Sequence, residues 1–126
     1  MTLSRRQARR QALFLLYQWD LSGQEIGSQY AGEIDAWARG VAEAVSERAP
    51  ELDARITAAS DGWTADRLGA VERSALRVAV HELETRDVPA QVAINEAVAF
   101  TKRYASEDGA RLVNGILGRI QREEAA

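Results

Sequence analysis

Four arginines, Arg5, Arg6, Arg9 and Arg10, stand at positions i, i+1, i+4 and i+5 near the start of the chain. On a helix this spacing puts them on one broad ridge over the first turns. A guanidinium donates a planar fork of hydrogen bonds to phosphate and also stacks on bases. Four of them suit RNA or another polyanion. The other reading is a solvated helix end. It fits less well, because cations at a helix N-terminus oppose the helix dipole, and residues 1–19 hold no acid to offset them. A bound anion would supply the missing negative charge. Four contacts to single-stranded phosphates would give a log–log salt slope of about −3.

Other combinations fail as sites. His81-Glu82-Leu83-Glu84-Thr85 begins like a zinc-protease helix, but Thr85 stands where a second His is required. The chain has one His and no Cys. Disulfides, thiolate zinc sites, iron–sulfur clusters, cysteine nucleophiles and paired-histidine sites are therefore excluded. No cofactor is expected. Gly115-Ile116-Leu117-Gly118 matches an RNA-clamping GxxG, but it falls inside a helical pattern. Close helix packing at Gly115 is the expectation there. Glu72, Glu82 and Glu96 lie on or beside apolar faces. They read as structural ion pairs with Arg73, Arg77 or backbone rather than as acid–base catalysts, and Glu72 alternatively as facing a partner protein. Asn95 and Asn114 read as ties between helices. Nothing here assembles an enzyme.

The elements that must position the arginines are helical. The 126 residues, 46% hydrophobic and 28% charged with two Pro, fit one folded domain. Ser4 is a candidate N-cap. Ala8, Ala12, Leu15, Leu16 and Trp19 follow at helical spacing, and Ser22-Gly23 supplies a stop. After a Gly-rich loop, helices are expected over about Ile34–Arg48 and Glu51–Ala59, separated by Pro50. A short capped turn at Thr64–Arg67 precedes helices over about Ala70–Thr85 and Pro89–Tyr104. A last helix starts at Ser106. No segment alternates with period two, so no strand is expected. The prediction is an all-α fold of about seven helices in one domain, 1–126. A waist at Ser60–Gly62 would divide it into two small bundles, about 1–60 and 61–126. No apolar run approaches the ~20 residues of a membrane span. The stretch Ala12–Leu16 is too short for a secretory signal, so a cytoplasmic location is expected. The net charge is −3, but residues 1–19 carry +4 and the remainder −7. A generally basic nucleic-acid binder is thus excluded, whereas one basic edge is not.

Three blocks carry a resemblance. Val71-Glu72-Arg73-Ser74-Ala75-Leu76-Arg77-Val78-Ala79-Val80-His81-Glu82-Leu83 resembles the central helix of the NusB family. So does Val88-Pro89-Ala90-Gln91-Val92-Ala93-Ile94-Asn95-Glu96-Ala97-Val98, followed by Lys102 and Tyr104. Glu107-Asp108-Gly109-Ala110-Arg111-Leu112-Val113-Asn114-Gly115-Ile116-Leu117 completes the pattern. Arg5-Arg6-Gln7-Ala8-Arg9, with Ala12-Leu13 and Leu16-Tyr17, is similar to the family's arginine-rich first helix. Only about Gly23–Gly32 has no counterpart. The resemblance implies an all-helical bacterial antitermination factor without catalysis or cofactor. Such proteins bind single-stranded boxA RNA with NusE, a small ribosomal subunit protein, and help RNA polymerase read through ribosomal RNA operons. By position, it implies RNA contacts for Arg5, Arg6, Arg9, Arg10 and Asp108, and NusE contacts for Tyr17 and Glu72. An acid at Asp108 would accept from a base edge rather than meet phosphate. Leu112 departs from the aromatic often found there and offers no face for stacking. Members of the family look monomeric or dimeric, so a homodimer stays open.

Three alternatives stand beside this reading. A helix-turn-helix DNA binder would need a basic recognition helix, but Pro89–Tyr104 has only Lys102 and Arg103 at its far end. A detached module related to the N-terminal domains of ribosomal RNA methyltransferases would lack room for a methyl donor. A helical protein-interaction adaptor would bind no RNA.

Overall fold

The computed structural model describes residues 2–125. Among them are six α-helices and one 3-10 turn, with no strand. Helix α1 spans Arg5–Ser22 and starts on a capping box. The Ser4 hydroxyl accepts from the Gln7 N–H at 3.1 Å, and the Ser4 N–H donates to Gln7 Oε1 at 2.8 Å. Two otherwise orphaned donors are satisfied this way. The helix stops at Gly23, whose φ of 71° is left-handed.

The following loop is held by Gln11, a buried polar residue of α1. Its amide donates to the Tyr30 hydroxyl and the Glu33 carbonyl and accepts from the Asp35 N–H. Asp35 then caps α2, Ala36–Glu47, two residues later than the apolar pattern suggests. Helix α3, Ala49–Ala58, begins one residue after the α2 C-cap. Pro50 sits in its first turn, where a missing N–H costs nothing, so the proline starts a helix rather than separating two by a loop. The 3-10 turn is Ala65–Arg67, followed by α4, Ala70–Thr85, and α5, Ala90–Tyr104. Helix α6, Glu107–Ala125, opens with the Ser106 hydroxyl accepting from the Gly109 N–H at 2.9 Å.

Helix α4 is the axis of the fold. Every residue from Ser74 to Val80 is buried, and α4 packs against all five other α-helices. A helix buried on every side must satisfy its polar residues internally. Arg77 does so through Asp20 of α1 and Asp53 of α3, at 2.8 and 2.7 Å, and Arg73 also pairs with Asp20. Burial alone would raise the Asp20 carboxyl, but Arg73 and Arg77 outweigh it and hold it below the usual carboxylate value. These partners differ from the expected ones, since Arg73 and Arg77 serve aspartates and not Glu72, Glu82 or Glu96. One apolar core, including Leu15, Leu52, Leu76, Val80 and Leu117, runs through helices on both sides of Ser60–Gly62. A small satellite of Ala8, Ala12 and Ala38 seats the start of α1 against α2, with Leu3 and Trp37 packed on it.

Two small expectations are corrected. Gly115 is exposed, and a Cβ added there meets nothing within 4 Å, so it is not a close packing point. Asn95 is exposed and accepts from Gln91 on its own helix, and Asn114 is exposed too. Neither ties two helices together.

Candidate nucleic-acid interface

The four arginines of α1 divide into two pairs, each one turn apart. Arg6 and Arg10 face α5, Arg5 lies over Trp37 of α2, and Arg9 points between them to Glu82 of α4, its guanidinium 5.7 Å from the centre of the Trp37 ring. The Arg5 guanidinium lies 4.2 Å from the centre of the Trp37 ring, which fixes an exposed cation by its π-face. Arg6 is exposed, with its Nε 3.0 Å from Glu96 of α5. Arg10 is half-buried and has no carboxylate partner among the described residues.

Arg9 corrects the picture of one exposed ridge. It is only 4% exposed, and its partner Glu82 of α4 is 3% exposed. Arg9 Nε donates to both carboxylate oxygens at 2.9 and 3.1 Å, and Nη2 donates at 2.8 Å. This is a two-pronged, charge-assisted pair inside the protein. The physical reason is position: Arg9 precedes the buried Leu13 and Leu16 by four and seven residues, so it shares their face. A phosphate could recruit Arg9 only by leaving Glu82 as a bare buried charge. The side chain instead holds α1 to α4 and fixes the angle at which its neighbours are presented.

Arg6, Arg10 and the edge of buried Arg9 line a cleft of about 250 Å³ between α1 and α5, with Glu96, Arg103 and Tyr104 on its far wall. Arg103 was visible in the sequence only as the basic last turn of a helix. No spacing rule in the sequence places this turn against α1. The other expected residues sit elsewhere. Asp108 is exposed on the first turn of α6, pairs with Arg111, and does not line the arginine cleft. Tyr17 is half-buried in a groove with Phe14, Val71, Phe100 and Tyr104. The Phe14, Phe100 and Tyr104 rings meet at 4.9 to 5.4 Å between centroids, Phe14 edge-on to both partners. Glu72 follows Val71 and fills the space beside Gly69 and Gly109, where an added Cβ would approach its carboxyl group to 2.7 and 3.3 Å. Tyr17 and Glu72 thus flank one corner, where α1, α4 and the start of α6 converge. Leu112 lines a separate groove with Trp63, which is 53% exposed.

His81 belongs to no site of this kind. Its Nδ1 lies 2.8 Å from Arg48 Nη1, and burial first, then Arg48, lowers its pKa below the usual 6.5. Among the described residues, no three His, Cys, Asp or Glu side chains are grouped to hold a metal. No described helix is long and apolar enough to cross a membrane.

Comparison with known proteins gives one consistent answer. A family model described as the NusB family matches residues 6–122. The transcription antitermination protein NusB of Rubrobacter xylanophilus is 41% identical over 122 residues, covering 91% of this chain and 88% of that protein. The protein of the same description from Anaeromyxobacter dehalogenans is 36% identical over an alignment of 130 residues, covering 95% and 92%. Among solved structures, NusB of T. maritima matches with a TM-score of 0.85 at 31% identity, covering 98% of this chain and 94% of that one. A chain in the crystal structure of antitermination factors NusB and NusE in complex with dsRNA matches with a TM-score of 0.81 at 31% identity, covering 94% and 96%.

Proposed function

The chain belongs to the NusB family, and from that premise we propose that it is a transcription antitermination factor. It binds single-stranded boxA RNA together with NusE, and it promotes read-through of ribosomal RNA operons as part of the RNA polymerase antitermination complex. It acts in the cytoplasm and catalyses nothing. The observation that carries this reading is the edge of α1, where Arg5 and Arg10 stand without carboxylate partners on a protein whose net charge is negative. An edge of that kind attracts a polyanion to one place and leaves the rest of the surface unattractive.

Each residue has a role. Arg5, Arg6 and Arg10 meet phosphates. Arg6 must exchange Glu96 for phosphate, and an exposed pair of this sort is worth only about 0–1 kcal/mol, so the exchange is cheap. Trp37 keeps the Arg5 guanidinium in place. Arg9 touches no RNA and positions the other three. Asp108, on α6, accepts from a base edge after its exposed pair with Arg111 opens. Tyr17 and Glu72 face NusE, which adds a second contact surface and so tightens the complex by effective concentration.

The test is fluorescence anisotropy with a short single-stranded boxA-like RNA and a scrambled control, each with and without NusE. Selective binding that NusE strengthens is the expected outcome. Equal, weak binding to both RNAs in all conditions would reject the reading and favour an adaptor that binds protein alone.

A further inference from the structure

The expected RNA residues lie on two helices, α1 and α6, and the last turn of α5 stands beside both. Arg103 lines the same cleft as Arg6 and Arg10, while its neighbour Lys102 lines a groove with Glu107 and Arg111 of α6. Arg103 is exposed and, among the described residues, has no carboxylate partner. Its guanidinium lies 5.4 Å from the centre of the Tyr104 ring, which limits its freedom without neutralising its charge. Arg10 across the cleft is also unpaired, so two bare cations from two helices converge on one depression. Glu96, the carboxylate of this cleft, is engaged by Arg6, and the like charges of Arg10 and Arg103 repel each other. The α5 C-terminus eases this for Arg103 through its dipole, but Arg10 has no such relief. An oxyanion between them would satisfy both.

We propose that Arg103 is an RNA-binding residue, and that it and Arg10 clamp a single phosphodiester in the α1–α5 cleft. This rests on the RNA-binding reading above. It replaces buried Arg9 with Arg103 as the fourth arginine on the RNA, and it carries the strand from α1 across α5 toward Asp108. Tyr104 forms the wall of the clamp and holds the Arg103 guanidinium toward the cleft.

The salt dependence discriminates. The clamped phosphate is counted once, so Arg5, Arg6 and the Arg10–Arg103 clamp predict a log–log slope of about −2, which loss of one clamp residue leaves in place and loss of both lowers to about −1.4. The experiment measures anisotropy of a labelled boxA-like single-stranded RNA over a salt series for wild type, R5A, R6A, R10A, R103A, R103K, the R10A/R103A double variant and R67A. R103A weakens binding about tenfold at low salt with the slope still near −2 and an unchanged melting temperature. R103K keeps the slope. The double variant loses less than the product of the two single losses, because both residues hold one phosphate. R67A, which removes the same charge from the 3-10 turn, stays within twofold of wild type. If R103A binds like wild type while R10A is weakened, Arg103 is not on the RNA path and the proposal falls, with the RNA-binding reading intact. If R5A, R6A and R10A all bind like wild type, the RNA-binding reading itself falls.

Discussion

Arg9→Ala separates an arginine that binds from one that holds the fold. Both Arg9 and Glu82 are nearly inaccessible, and three hydrogen bonds of 2.8–3.1 Å join them. Removing one partner of such a pair leaves the other charge buried and costs about 3–5 kcal/mol. For a chain of this length, each kcal/mol moves the melting point by roughly 3–6 °C, so R9A should melt roughly 10–30 °C lower. Arg9→Met with Glu82→Leu removes both charges and fills the space with apolar volume. That double variant should recover most of the loss, since a buried ion pair contributes little over a well-packed hydrophobic pair. Calorimetry measures the stability of both, and anisotropy over a salt series measures RNA binding by the folded double variant. Its slope should match wild type. Two results would refute the reasoning. One is an R9A protein that melts within about 2 °C of wild type. The other is a stable double variant whose slope becomes shallower by about 0.7, the signature of one lost phosphate contact.

Three further outcomes follow from local geometry. Gly115→Ala should raise stability by about 0.5–1 kcal/mol in urea denaturation, because the site is exposed, helical and open to a methyl group; a loss would mean that the glycine serves a contact. Ser4→Ala removes the capping box and should cost about 1 kcal/mol. Faster amide exchange in the first turn of α1, with weaker RNA binding, would accompany it, and unchanged exchange there would contradict the capping role. His81 is held neutral by burial and by Arg48, so its folded pKa lies below the unfolded 6.5. The unfolded chain then binds the extra proton first, and stability is full above 6.5 and declines as pH falls below it. Thermal melts of His81→Gln between pH 7 and 5 should show a flatter dependence than wild type, and an identical slope would clear His81 of the effect.

Much of this fold was legible because its signals are local. Ser4, Gly23 and Ser106 mark helix ends through bonds to their own neighbourhoods, and the 3.6-residue period of α4 and α6 is set by burial of one stripe. The family resemblance was carried by the same ordered blocks. What the sequence hid was long-range. Arg9 and Glu82 are 73 positions apart, and nothing between them announces a pair. Half of the clue was nonetheless present, since the spacing of Arg9 to Leu13 and Leu16 already placed it on the buried face. Arg103 was hidden differently: its exposure and its closeness to Arg10 arise only when α5 packs back across α1. Pro50 misled for a third reason, because a proline that ends one helix and a proline in the first turn of the next look alike in a one-dimensional pattern.

The two glutamates that meet α1, Glu82 and Glu96, have a consequence for how the protein lives among other RNAs. A cell is crowded with ribosomal and messenger RNA, and an edge with four bare guanidiniums would be occupied by whatever strand arrived first. Here one guanidinium is permanently withdrawn by Glu82 and another is loosely screened by Glu96. On the RNA-binding reading proposed above, the Glu96 screen is worth at most about 1 kcal/mol, and the buried Glu82 pair does most of the withdrawal. On that reading, the internal carboxylates reduce the guanidiniums of α1 that any strand meets bare from four to two, Arg5 and Arg10, with Arg6 screened and Arg9 withdrawn.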